Sequence, residues 1–329
     1  MSGGQALFAE LRGFMKSRVV LTAAELDVFT PIGRAGLTAK ALAAQKGLDE
    51  RALTRLLDCL VTLGFLAKHQ GVYGLTDLSR PLCADHPQTV LPVALHMNRL
   101  WDNWSGLTGL IKSGGAKPRA EGPFKDEATL AAFIGAMHGI GREMSEKIAK
   151  EYEASGREKL LDVGGGSGTY TMAFLRANPG LTAVIFDLPP VVNMARQRLQ
   201  AEGLLDRVEL VPGDFYADEL PKKGCDLALA SAIVHQNSPE ENIRFYKKIF
   251  AALAPGGAIL IRDHVMDAER TWPPAGAMFA INMLVNSPGG DTYTFAELRQ
   301  GLEAAGFKDV RQVREGADMD SLVEARKPG

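Results

Sequence analysis

The chain has little cysteine. Its three, Cys59, Cys83 and Cys225, lie far apart in 329 residues and show neither CxxC nor metal-ligand spacing. This excludes a disulfide-built framework and a cysteine-ligated metal centre; the three read as reduced core residues of a cytoplasmic protein, and no metal is expected. Charge of one sign is lacking too. A formal net charge of -2 gives no broad pull towards nucleic acid or an anionic membrane. No apolar run is long enough to cross a bilayer, and the opening MSGGQALFAELRGFMKSRVV lacks the apolar stretch of a signal peptide. Repeats and low-complexity segments are absent. What remains is 46% hydrophobic and 23% charged, an ordinary globular composition with length enough for two cores.

Against this background one stretch stands out, KLLDVGGGSGT at 159–169. Lys159 to Val163 suit a buried parallel strand, and Gly164, Gly165, Gly166 and Gly168 make a tight turn that opens a helix. A dinucleotide fold wants G-x-G-x-x-G; here Asp162 precedes the glycines and Thr169 falls where the third dinucleotide glycine would be. The acid-x-G-x-G-x-G pattern is that of S-adenosylmethionine (SAM) methyltransferases. A sulfonium cofactor has no pyrophosphate to hold, and a carboxylate near its amino group suits it.

From Gly156 onward strand and helix patterns alternate, which predicts a Rossmann-like α/β domain with a mostly parallel seven-stranded sheet. Strands are expected at 159–163, 182–187, 208–211, 225–232, 258–263, 308–314 and 321–327. The second ends on Asp187, placed for a ribose, with Leu188 after it. The third runs into Asp214 and Phe215, a polar and aromatic pair suited to an adenine amino group and ring face.

Before that domain the pattern is different. Residues 5 to 30 read as one amphipathic helix, with Leu7, Leu11, Phe14, Val19, Ala23, Leu26 and Phe29 near helical spacing and Pro31 as its end. Thr38 and Asp49 are N-caps for two further helices, and two strand-like pieces around Gln70-Gly71 form a wing. This is a mainly helical winged-helix domain over 1–90. Winged helices often bind DNA, but the second helix mixes Arg51 and Arg55 with Glu50 and Asp58, so no basic stripe forms and no nucleic-acid partner is expected. Residues 91–150 read as a helical connector lining an acceptor pocket, with 112–123 as a loop, and 151–329 as the cofactor domain. The density of Met97, Trp101, Trp104, Met137 and their neighbours suits a pocket wall, although each alone is an ordinary core residue.

With LLDVGGGSG, IFDLP, GDFY, APGG and GGDTYTFAEL in that order, the sequence resembles the small-molecule O-methyltransferases that carry a winged-helix dimerisation domain, among them plant phenolic and bacterial natural-product enzymes. The resemblance covers nearly the whole chain. It implies a SAM-dependent enzyme releasing S-adenosylhomocysteine (SAH), a homodimer joined through the N-terminal helices, and a phenol or hydroxyl acceptor. By position it assigns Gly164 and Gly166 to the methionine part of SAM, Asp187 to the ribose, Asp214 and Phe215 to the adenine, and His235 to the catalytic base. Where plant members read histidine-aspartate-tryptophan, this chain has His235-Gln236-Asn237; Ser231, on the cofactor side, replaces a plant lysine; of two acids flanking the plant histidine, one is kept as Asp263 and the other is Thr292.

The residues themselves ask for the same chemistry. Methyl transfer needs an aligned nucleophile, an apolar enclosure and deprotonation of the acceptor. His235 lies just past a strand's carboxyl end, where open α/β sheets hold their ligands, with His264 as a weaker rival. Met278, Phe279, Asn282 and Met283 are read as one helix face that roofs the acceptor with Met97, Trp101 and Met137. An aromatic hydroxyl is the first choice of acceptor, with thiol, aliphatic hydroxyl and amine open. Other SAM chemistry and a SAM-sensing winged-helix regulator stand as alternatives.

Overall fold

The computed structural model describes residues 3–115, 127–152 and 154–329. The chain divides into two compact units, Met1–Asp102 with Gly135–Gly139, and Asn103–Ile134 with Ile140–Gly329. Of the expected loop 112–123, residues 116–123 lie outside the described residues, and Lys112 and Ser113 end a helix.

The first unit opens with α1 (Gly3–Glu25) and α2 (Phe29–Ala35), then β1 (Leu37–Thr38), α3 (Ala39–Lys46), α4 (Glu50–Thr62), β2 (Leu66–His69) and β3 (Val72–Leu75). The single helix expected over 5–30 is therefore two. Asp27 takes a left-handed φ of 47° and is held there by Lys46 Nζ at 3.0 Å, so the chain turns before Phe29. Pro31 sits in the first turn of α2, where a missing N–H costs little, and does not end a helix. The caps fall as expected: Thr38 accepts from Ala41 N and Asp49 from Ala52 N. Gln70 and Gly71 are both left-handed, which makes the tight β2–β3 turn, and β1 joins the far side of β3 to complete a three-stranded sheet. Asp58, on α4, is taken by Lys68 Nζ at 2.6 Å and Tyr73 Oη at 2.7 Å, which further neutralises that helix's surface. Phe29, Leu42, Leu57 and Leu60 form the core. The amino-terminal half of α1 does not enter it: Leu7, Phe8, Leu11, Phe14 and Met15 are each more than half exposed.

Helix α5 (Leu91–Ser105) begins in the first unit. The second unit takes α6 (Leu107–Ser113), most of α7 (Glu127–Glu151), β4 (Lys159–Val163), α8 (Thr169–Ala177), β5 (Thr182–Asp187), α9 (Pro189–Ala201), β6 (Val208–Pro212), β7 (Leu227–Ser231), α10 (Pro239–Ala252), β8 (Ala258–Asp263), β9 (Val265–Met266), α11 (Pro274–Asn286), β10 (Tyr293–Thr294), α12 (Phe295–Ala304), β11 (Lys308–Arg314) and β12 (Ser321–Arg326). The seven-stranded sheet runs β11-β12-β8-β7-β4-β5-β6, parallel except for β12, which is antiparallel to both neighbours. Strand β4 is central, and the order reverses between it and β7, so a crevice opens beyond the carboxyl ends of β4 and β7. Strand β7 ends one residue earlier than expected because Ala232 is left-handed at φ 56°.

Pleating sorts the strand residues. Leu161, Val163, Ala228, Ala230, Ile259 and Ile261 face one core with Phe245 and Ile249 of α10 and Leu298 and Leu302 of α12. Leu160, Ile185, Leu227, Leu229 and Leu260 face the other with Phe174 of α8 and Ala195 and Leu199 of α9. Among the described residues no helix is long and apolar enough to cross a membrane.

Leu57→Ala should lower stability by about 2–5 kcal/mol, because a completely buried side chain leaves a cavity, whereas Asp49→Ala should cost about 1 kcal/mol, the worth of a cap. Denaturant unfolding of the two variants checks this, and equal midpoints would contradict the assigned core.

Candidate active site

The loop after β4 is built by three glycines for two reasons. A Cβ on Gly165 would stand 2.8 Å from Asp162 Cγ, and one on Gly164 would stand 2.7 Å from Ile233 Cδ1, so both are excluded by packing. Gly166 meets nothing within 4 Å and is left-handed at φ 58°; it keeps a backbone face open to a ligand. Its N–H donates to Asp187 Oδ2 at 2.8 Å, and Leu188 N donates to Oδ1 at 2.7 Å. Thus the acid that ends β5 also sets the conformation of the loop that ends β4. Burial pushes the Asp187 carboxyl up; the two N–H groups oppose this, and the charge of Asp214 adds to it.

Asp162 is almost wholly enclosed and accepts from Thr171 Oγ1 at 2.6 Å. Burial raises its pKa to about 6. Its Oδ1 is buried without a partner among the described residues, which leaves one carboxylate oxygen that a cationic group would satisfy. Asp214 forms a turn by accepting from Tyr216 N at 2.8 Å, and Phe215 stacks between Tyr216 and Phe245, with Cε1 close to Gly164. Open backbone at Gly166, an orphaned buried carboxylate oxygen and two acids at neighbouring strand ends fit a nucleoside joined to an amino acid. SAM is such a molecule.

On the other face of the sheet His235 follows β7 in a single 3₁₀ turn, Val234–Gln236, and is 7% exposed. Its Nδ1 lies 2.9 Å from both carboxylate oxygens of Asp263, the last residue of β8. Burial alone would raise the Asp263 carboxyl, but His235, Arg262 and the His264 N–H together hold it below the usual carboxylate range. An ionised carboxylate only accepts, so Nδ1 carries a proton, and in the neutral ring the lone pair then lies on Nε2. His264 differs. Burial lowers its pKa, and its Nδ1 has no partner among the described residues, so nothing orients its ring through that nitrogen.

The turn bearing His235 is held from several sides that the sequence did not reveal. Asn237 is fully buried; its Nδ2 donates to Asn242 Oδ1 at 3.0 Å, its Oδ1 accepts from Tyr216 Oη at 2.7 Å, and its carbonyl accepts from Tyr293 Oη. Asp291 N donates to the His235 carbonyl at 3.0 Å, and a Cβ on Gly290 would stand 2.4 Å from that oxygen. Gln236 is exposed, and Thr292 donates to the Gly276 carbonyl at 3.3 Å. Of the departures from the plant pattern, Asn237 and Thr292 both tie the loops, while the kept acid, Asp263, is the carboxylate bonded to the imidazole.

Helix α11 presents Phe279 edge-on to His235, ring centroids 4.8 Å apart, and tilted against His264 at 5.2 Å. Asn282 Oδ1 accepts from Trp104 Nε1 at 3.1 Å and from Asn286 Nδ2 at 3.0 Å. Met283 is 7% exposed, but Met278 is 62% exposed. The expected common face fails for Met278, since five residues place it about 140° around the helix from Met283. Met97, Trp101 and Met137 belong to the first unit, where Arg18 lies 5.4 Å over the Trp101 ring. Ser231 ends β7 on the glycine-loop face and accepts from Arg262 Nη1 at 3.2 Å. Arg262 was missed by sequence reasoning altogether; a charged residue inside an apolar strand was the available signal.

Sheet order, glycine loop and strand-end acids define a methyltransferase fold of the Rossmann-like class. The O-methyltransferase domain model matches residues 117–308, and the O-methyltransferase dimerisation domain model matches residues 9–85. The chain belongs to the O-methyltransferase family, and it is a SAM-dependent enzyme of that family. It is 31% identical over 328 residues to the mitomycin biosynthesis 6-O-methyltransferase of Streptomyces lavendulae, covering 96% of this chain and 93% of that one. With the tetracenomycin polyketide synthesis 8-O-methyl transferase of Streptomyces glaucescens it shares 30% over 322 residues, covering 96% and 94%. The crystal structure of human N-acetylserotonin methyltransferase in complex with SAM aligns with a TM-score of 0.87 at 25% identity, over 100% of this chain and 99% of that chain.

Asp187→Ala should weaken SAM binding at least tenfold, because it removes charge-assisted acceptors worth about 1.5–3 kcal/mol each and releases the Gly166 N–H that shapes the loop. Calorimetry with SAM measures this, and an unchanged affinity would refute the role given to the end of β5.

Proposed function

We propose that the enzyme methylates a hydroxyl, aromatic in the first instance, on a small molecule, with His235 taking the hydroxyl proton. The observation that carries this reading is the buried His235–Asp263 pair, which occupies Nδ1 and makes Nε2 the nitrogen left to take a proton at the crevice end of β7. Bound SAM supplies an electrophilic methyl carbon, whose bond to sulfur breaks as the acceptor oxygen bonds to it, leaving SAH. Asp162, Gly164, Gly166, Asp187, Leu188, Asp214, Phe215 and Ser231 would hold that cofactor. Asp263 fixes the imidazole tautomer and stabilises the imidazolium once the proton has arrived. Phe279 and Met283 offer an apolar, polarisable wall beside the base, which favours a flat acceptor over a strongly hydrated one. The acceptor oxygen of Asn282 is already used, so its amide offers a ligand only N–H donors, fit for an oxygen next to the reacting hydroxyl.

His235→Ala should lower turnover on the order of 10²- to 10⁴-fold while leaving SAH affinity intact. The deficit should shrink as pH rises, because an acceptor that ionises in solution no longer needs the base and positioning alone carries the reaction. Turnover of a weakly acidic phenol at the wild-type rate near pH 7 would rule His235 out.

We further infer a homodimer formed through the first unit. The exposed Leu7, Phe8, Leu11 and Phe14 of α1, together with the dimerisation-domain match, support it. Sedimentation should give twice the chain mass at micromolar concentration, and Phe14→Glu should shift the protein towards monomer; a monomeric wild type would sink the inference.

A further inference from the structure

Four strand ends on one face of the sheet carry polar residues in an informative order. Leu160, Ile185, Leu229 and Leu260 all pack towards α8 and α9, and pleating places the residues two further on, Asp162, Asp187, Ser231 and Arg262, on that same face. Across the sheet they stand as Arg262 on β8, Ser231 on β7, Asp162 on β4 and Asp187 on β5. Asp263, the next residue after Arg262, points the other way, to His235.

Arg262 is only 7% exposed. Its Nε donates to the Met319 carbonyl at 2.7 Å, its Nη1 to Ser231 Oγ at 3.2 Å, and its guanidinium carbon lies 4.9 Å from the centroid of the Tyr170 ring. All of these partners are neutral. Asp320, on the same turn as Met319, is committed to Arg314 at 2.7 Å, and Asp263 to the opposite face. Among the described residues no carboxylate is hydrogen-bonded to this guanidinium, and a buried guanidinium left so costs free energy unless an anion from elsewhere completes it.

We propose that Arg262 is the counter-ion for the α-carboxylate at the methionyl end of SAM. The inference rests on the reading that this site holds SAM. The row of strand ends then matches the ligand in charge as well as in sequence. Asp187 takes the ribose hydroxyls over β5, the glycine loop and the unsatisfied Asp162 oxygen lie over β4 near the ammonium, and the cation comes last, at β7 and β8. Strand spacing makes this row roughly 14 Å wide, a breadth suited to an extended nucleoside–amino acid met by the stem of an arginine. It also accounts for Ser231: where plant members carry a lysine on β7, this chain brings a cation to the same place from β8, and the small serine leaves room for it and accepts its hydrogen bond.

Arg262 also clasps the β11–β12 turn through Met319, so loss of function alone would not separate the two roles. Calorimetric titration of the full-length protein with SAH and with decarboxylated SAH does separate them. Wild type should prefer SAH at least about tenfold. Arg262→Met should weaken SAH about 10- to 100-fold yet leave the decarboxylated analogue within about twofold, and Arg262→Lys should recover part of the preference. If Arg262→Met weakens both ligands equally, or leaves SAH unchanged, Arg262 is a structural clasp and the proposal is wrong. Wild type binding both ligands equally would overturn the proposal but not the cofactor site; wild type binding neither would overturn both.

Discussion

A carboxylate 1% exposed cannot stand alone, and Asp263 is satisfied by His235 Nδ1 and by the backbone N–H of His264. That requirement organises much of the second unit. To meet it the chain must bring the turn after β7 against the end of β8, which it does through a left-handed Ala232 whose N–H donates to the Arg262 carbonyl at 2.8 Å. A non-glycine residue in that region costs on the order of 1 kcal/mol or more, so the turn is held by more than its own preference. Asn237, Asn242, Tyr216 and Tyr293 pin one side of it, and the Gly290–Asp291 backbone closes the other. His235 is thereby held by its backbone as well as by the Asp263 carboxylate.

The cofactor face follows a different logic. Its groups are mostly backbone N–H donors and buried acids: among the described residues Asp162 Oδ1 has no partner, and Asp187 accepts from two backbone N–H groups. A site that keeps unspent hydrogen-bonding capacity in a dehydrated place binds a matching ligand with little reorganisation. Asp187 shapes the loop there, and the ligand contact proposed for it would pass through the same carboxylate.

How much of this could be read from the chain depended on the range of the interaction. Strands β4, β5 and β8 fell where the apolar runs put them, because continuous Val, Ile and Leu between turn residues is a local property. Thr38 and Asp49 were legible for the same reason: a cap acts within three residues. The break at Asp27 was not, since it depends on Lys46, nineteen residues on. Nor was the setting of His235, whose supports come from residues 216, 242 and 290–293. Arg262 and Asp263 make the point most sharply: adjacent in sequence and both charged, they look like one polar spot, and only the pleat shows that they serve opposite faces.

That division bears on how such an enzyme can change its acceptor without losing its chemistry. Asp263 and His235 sit at the ends of central strands, where a shift of either would have to move β7 and β8 against both cores. Phe279, Asn282 and Met283 sit on α11, an insertion between β9 and β10 that meets His235 through the Phe279 ring. Substitutions on α11 alter the shape and polarity offered beside Nε2, yet leave the Nδ1–carboxylate pair and the strand-end row on the opposite face in place. The proposed base, and the acids proposed to hold the donor of the methyl group, are therefore built into the rigid sheet, and the proposed acceptor wall into the element most easily replaced.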